Sequence, residues 1–103
     1  MSDLVGYQRK ALRGMAHELE PAVFVRQAGL TENVLTSIGR ALEAHELIKV
    51  KFVDHKESKR ELAAEIVASC DAELAGIVGH IAIVYRQQPD PQKRRIRLPA
   101  REG

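Results

Sequence analysis

Arg9, Lys10, Arg13 and His17 bring positive or titratable groups together near the start of the chain. On a helix turning roughly 100° per residue, they occupy an arc about 100° wide. Arg9, Arg13 and His17, spaced four apart, can then meet successive phosphates along one strand of a polyanion such as RNA. A second group follows as Arg26-Gln27-Ala28-Gly29, with Thr31 just beyond. Gly29 allows a close backbone approach to a ligand. A helix opening after it presents unpaired N–H groups and partial positive charge, which can hold a phosphate. Arg26 and Gln27 add side-chain donors. Each group also has a plainer reading, as an ordinary strand-to-helix connection and as a solvated helix face. The helix charges nevertheless share one sign, and no acidic residue alternates with them before Glu18.

Other chemistries find less support. Cys70, the only cysteine, sits among apolar helical neighbours without a base and reads as core. His17, His45, His55 and His80 are too dispersed for a zinc site. Glu43, His45 and Glu46 could suggest acid–base work, but nothing orients them, and helix-end polar residues explain them. There is no phosphate-loop signature and no dinucleotide fingerprint. The expectation is a protein that is not an enzyme, with no cofactor, metal or small-molecule substrate. Base stacking on sheet aromatics, as in RRM modules, is read as excluded, with Phe24 and Phe52 assigned to the core. Lys49 and Lys51 share a strand face that could extend an RNA surface, though a solvated face is the favoured reading.

The elements follow from periodicity. Val5 to Leu19 reads as a helix whose buried stripe is Leu12, Met15, Ala16 and Leu19, ended by Pro21. Residues 22–25 form a short strand. Thr31 caps a second helix with core positions Val34, Leu35, Ile38 and Leu42, ending near His45. Leu47 to Val53 alternates as a half-buried strand. Asp54 and Glu57 have capping-box spacing before a third helix running to about Ser69, with Leu62, Ala63, Ile66, Val67 and Cys70 inward. Glu73 to Val78 and Ile81 to Arg86 make a hairpin about Gly79-His80, suited to a type II′ turn. Ile81 to Val84 is apolar on both faces and predicts a central strand. The order α-β-α-β-α-β-β implies an α/β fold, a compact single domain in which a four-stranded mixed sheet packs with three helices.

The 103 residues, 45% hydrophobic, suit one domain. No apolar run approaches the roughly 20 residues of a membrane helix, and the first residues have no signal-peptide core. A soluble cytoplasmic protein, not attached to a membrane, is expected. Net charge is +2, distributed unevenly: residues 87–103 sum to +3 and the other 86 to −1. Any anion site on the body must therefore come from local clustering. Residues 1–88 are read as the binding domain. Residues 89–103 are read as a basic, partly ordered tail, with Lys93, Arg94, Arg95 and Arg97 as further contacts.

The run QRKALRGMAHELEPAVFVRQAGLTENVL, the later ALEAHELIKVKF and the ending VGHIAIVYR resemble the YhbY-like proteins, stand-alone CRM (chloroplast RNA splicing and ribosome maturation) domains. The resemblance covers about residues 4–99. It implies a fold similar to the C-terminal domain of a bacterial translation initiation factor. It also implies association with ribosomal RNA and precursors of the large ribosomal subunit, as an assembly factor, and RNA contact through a KH-like Gly-x-x-Gly loop. Arg9, Lys10, Arg13, His17 and Gly29 match the family's positions. Here Arg26 replaces the loop's first glycine, which restricts the backbone but offers a guanidinium for a phosphate. A monomer is expected. The alternative is a protein-interaction module docking a ribosomal protein or assembly GTPase, with the tail as docking peptide.

Overall fold

The computed structural model describes residues 4–99. In chain order the elements are α1 (Gly6–Ala16), β1 (Val23–Val25), α2 (Glu32–His45), β2 (Leu47–Phe52), α3 (Lys59–Ser69), β3 (Glu73–Val78) and β4 (Ile81–Tyr85). Short 3-10 turns occupy Lys56–Ser58 and Pro91–Lys93. The four strands form one mixed sheet ordered β1-β2-β4-β3. The α2 crossover sets β1 parallel to β2, while β4 runs antiparallel to both β2 and β3. The α3 crossover does not bring β3 beside β2. The return arm of the closing hairpin takes that place, because the buried stretch Ala82–Tyr85 suits a central slot. Of the turn residues Gly79 and His80, only Gly79 has a positive φ, 61°, as a type II′ turn requires.

Strand alternation divides the core in two. Ile48, Val50 and Phe52 of β2, with Ala82 and Val84 of β4, pack with Ile38 and Leu42 of α2, Ala63 and Ile66 of α3, and Cys70 at the C-cap of α3. Leu47, Ile83, Tyr85 and Ala75 face the other way, beneath Leu12 and Ala16 of α1. Burial of a side chain such as Phe52 or Leu12 contributes roughly 1.5–3 kcal/mol. A register shift between Leu74 and Gly76 directs Ala75 into the α1 side.

Three local expectations are corrected. The buried stripe of α1 is Gln8, Leu12 and Ala16, whereas Met15 and Leu19 are each 39% exposed. Gln8 can be buried because its amide accepts from Val5 N at 3.2 Å and donates to Pro99 O at 2.9 Å. The helix also stops at Ala16, where Lys49 Nζ donates to the carbonyls of His17 (3.2 Å) and Leu19 (2.9 Å). Secondly, Asp54 does not cap α3. His55 adopts a left-handed φ of 59°, a 3-10 turn intervenes, and Ser58 occupies the cap position. Thirdly, Phe24 is not core. Val23 and Val25 point inward, so the residue between them points out and is 39% exposed.

Residues 86–99 fold back over the domain. Glu46, buried to 1% exposure with φ 63°, organises this return. Its carboxylate accepts from Gln88 N (2.8 Å), Ile96 N (2.9 Å) and Arg95 N, and its carbonyl accepts from Arg86 N at 2.8 Å. Ile96 and Leu98 then complete the core under α1. Burial alone would raise the Glu46 pKa. The three amide donors, with Arg94 nearby, outweigh it and hold the carboxyl below its ordinary value.

Candidate nucleic-acid interface

Helix α1 covers only part of its face of the sheet. The strand registers place Leu47 beside Tyr85, Lys49 beside Ile83, and Lys51 beside Ile81. Lys51 also pairs with Phe24, and Ile81 with Val78. The row Val78–Ile81–Lys51–Phe24 thus lies past the end of α1. Val78 is 57% exposed and Lys51 is exposed. A strip of open sheet follows, floored by apolar side chains and a lysine.

The wall of this strip on the α1 side is basic. Arg13, His17 and Lys49 line a depression of about 80 Å³ with Val78, Ile81 and Ile83. Arg13 is fixed there by Nη1, which donates to Ala75 O at 2.8 Å. Its aliphatic arm crosses Gly76 so closely that a Cβ there would stand 2.7 Å from Arg13 Cδ. Gly76 therefore makes room for the guanidinium. Lys49 is held by its two bonds to the carbonyls ending α1. These partners are neutral carbonyls, so they orient the cations without cancelling their charge.

The opposite wall is the loop between β1 and α2. Gly29 N donates to Arg26 O at 2.9 Å, closing a four-residue turn, and His55 Nε2 lies 2.8 Å from Gln27 O. Gly29 has φ 75°. Space is not the obstacle to a side chain here, since a Cβ would come no closer than 3.8 Å to His55 Nε2. The backbone angle is, so Gly29→Ala is expected to cost about 1–2 kcal/mol in chemical denaturation. Thr31 caps α2, its hydroxyl accepting from Val34 N at 3.2 Å. Glu32 in the first turn already offsets part of the helix's positive end. The cation that the loop offers is Arg26, whose guanidinium lies 5.3 Å from the centre of the Phe24 ring.

The expected residues therefore separate into four groups. Arg13 and His17 meet at one wall. Arg26, Gln27, Gly29 and Thr31 belong to the loop at the other, past the row in which Phe24 pairs with Lys51. Arg9 and Lys10 lie toward the far end of α1, where Arg9 Nη1 donates to Leu4 O at 2.7 Å. The tail cations Lys93, Arg94 and Arg95 line a depression with Glu43, Ala44 and Gln88 near the start of β2, at the sheet end remote from the loop. Arg97 is exposed beyond them. Lys49 and Lys51, for which a solvated face was the favoured reading, and Phe24, assigned to the core, are the residues that the sequence left out of the site. Their signal was the odd parity of Lys49 and Lys51 on β2, which faces away from Ile48, Val50 and Phe52. Among the described residues, no group of His, Cys, Asp or Glu could hold a metal ion.

The CRS1 / YhbY (CRM) domain family matches residues 4–86. Among curated proteins, one named a probable RNA-binding protein in Pseudomonas aeruginosa is 40% identical over 87 residues, covering 84% of each chain. One named an RNA-binding protein in Haemophilus influenzae is 39% identical over 100 residues, covering 96% of this chain and 98% of that one. The solution structure of a hypothetical Staphylococcus aureus protein, thought to bind RNA, superposes with a TM-score of 0.78 at 31% identity. It covers 93% of this chain and 99% of that one. The three-helix, four-stranded architecture is thus shared with a solved relative, and the chain belongs to the CRS1 / YhbY (CRM) domain family.

Proposed function

We propose that this protein binds RNA along the open strip of its sheet, mainly through phosphate contacts. In this reading it serves as a cytoplasmic assembly factor on ribosomal RNA or precursors of the large ribosomal subunit. One observation carries the binding reading: Arg13, His17 and Lys49 line one wall of a strip whose floor and far wall hold Lys51 and Arg26. Two relatives are named as RNA-binding or probable RNA-binding proteins, which supports the same ligand class. The role is non-catalytic and the working unit a monomer. Cys70 fits the non-catalytic role, since it is buried and its thiol is pushed above its ordinary pKa, so it is a poor nucleophile.

A protein-docking role is the second reading, favoured by a different feature. A groove of about 450 Å³, lined largely by Met15, Leu19, Ala22, Leu47, Ile48 and Ile96, opens at the other end of the sheet. Sedimentation with ribosomal particles separates the two. Under the RNA reading, RNase treatment releases the protein. Retention after complete RNA digestion would favour protein docking instead.

A further inference from the structure

Phe24 has no packing reason to be where it is. It stands on the solvent side of the edge strand β1, 39% exposed, between two buried valines. One partner is the Arg26 guanidinium, 5.3 Å from the ring centre, and its register neighbour across the sheet is exposed Lys51. An exposed aromatic flanked by cations provides two different kinds of contact. Phosphates are met by the charges, while the ring offers a flat apolar surface that phosphate recognition does not use.

We propose that Phe24 and Arg26 form a stacking platform for one unpaired nucleobase, which adds a third plane to the column. This rests on the RNA reading above and narrows its ligand to single-stranded RNA. The base lies over the Phe24 end of the strip. Its flanking phosphates turn toward Lys51 and toward the Lys49–His17–Arg13 wall. Stacking tolerates any base, because every base has a π-face, so the contact fixes register without reading sequence. The arginine in place of the loop's first glycine thereby acquires a role: it holds a planar cation against the ring. An acidic peptide would satisfy the lysines but gain nothing from the ring.

The test compares single-stranded RNA oligonucleotides, intact or with one abasic nucleotide moved along the strand, on wild type, Phe24→Leu and Phe24→Trp. Leucine keeps apolar bulk and removes the ring, and melting curves confirm that the variants fold. Wild type should lose roughly 5- to 100-fold in affinity when one position is abasic. Phe24→Leu should lose a similar factor on intact RNA and nothing more on the abasic strand, with the salt slope unchanged. Phe24→Trp should retain binding. As the chain has no other tryptophan, its emission should be quenched by the intact strand and spared by the abasic one. Equal weakening on intact and abasic strands, or no weakening in Phe24→Leu while wild type still binds RNA with steep salt dependence, would overturn the platform and leave the phosphate reading standing. If wild type binds no RNA, both fall together.

Discussion

Replacing Arg26 and Lys51 together by glutamate is expected to lower affinity for single-stranded RNA by on the order of 100-fold or more near physiological salt. Each change removes a cation from the strip and places an anion where a phosphate would approach. Folding stability should change by no more than about 1 kcal/mol, because both side chains are exposed and the main interaction lost is the contact of Arg26 with Phe24. The same reversal at Arg9 and Arg13 is a poorer probe. Those guanidiniums donate to the carbonyls of Leu4 and Ala75, so glutamate there also breaks structural bonds of roughly 1.5–3 kcal/mol each. Binding titrations paired with thermal melts distinguish the cases. An unfolded Arg26→Glu, Lys51→Glu variant would mean that the strip is not an open surface.

The second large effect concerns stability. Glu46→Gln is expected to destabilise the fold by about 2–4 kcal/mol in urea denaturation. Its carboxylate receives three backbone donors, from Gln88, Arg95 and Ile96, while shut away from solvent, and a neutral amide oxygen accepts them more weakly. The tail should loosen first, read as faster hydrogen exchange at those three amides. The pH dependence has a definite sign. The folded-state pKa of Glu46 lies below its unfolded value, so its stabilisation is fully present above the ordinary glutamate range, about 4.3. It is lost as pH falls through that range toward the lower folded pKa. Wild type should weaken on acidification through this window, and Glu46→Gln should weaken less. A flat wild-type profile there would show that the carboxylate does not hold the tail.

Much of this architecture was written locally. Alternation in LIKVKF, the Thr31 cap and the Gly79-His80 turn each depend on neighbours a few residues away, and each appears as expected. The misplaced features depend on contacts distant in sequence. The phase of α1 is set by the bonds of Gln8 and by its packing on the sheet, not by the hydrophobicity of Met15 and Leu19. Glu46 looked like one more polar residue at a helix end, because nothing nearby reveals that the chain returns 42 to 50 residues later to donate to it. Phe24 reads as core by type. In a strand of three residues, the alternation that turns it outward is too short to recognise without its partner strand.

The candidate interface divides in the same way. The cations of α1 and the glycine turn were legible as separate groups. They were expected to converge on one phosphate-sized site; that they instead stand on two walls of a strip across β2 was not legible, since it requires β4 to enter the sheet between β2 and β3 and α1 to stop before the last row of strands. Lys49 joins them: it sits on the sheet, ends the helix and lines the depression with Arg13 and His17.

The salt dependence of binding to one short single-stranded RNA, measured for wild type, Lys49→Ala and Arg26→Ala, tests most directly whether the two walls grip a single ligand. The expected result is a steep wild-type log–log slope that becomes shallower by about 0.7 for each cation that contacts a phosphate, in both variants. A slope altered by only one of the two, or a wild-type affinity indifferent to salt, would contradict it.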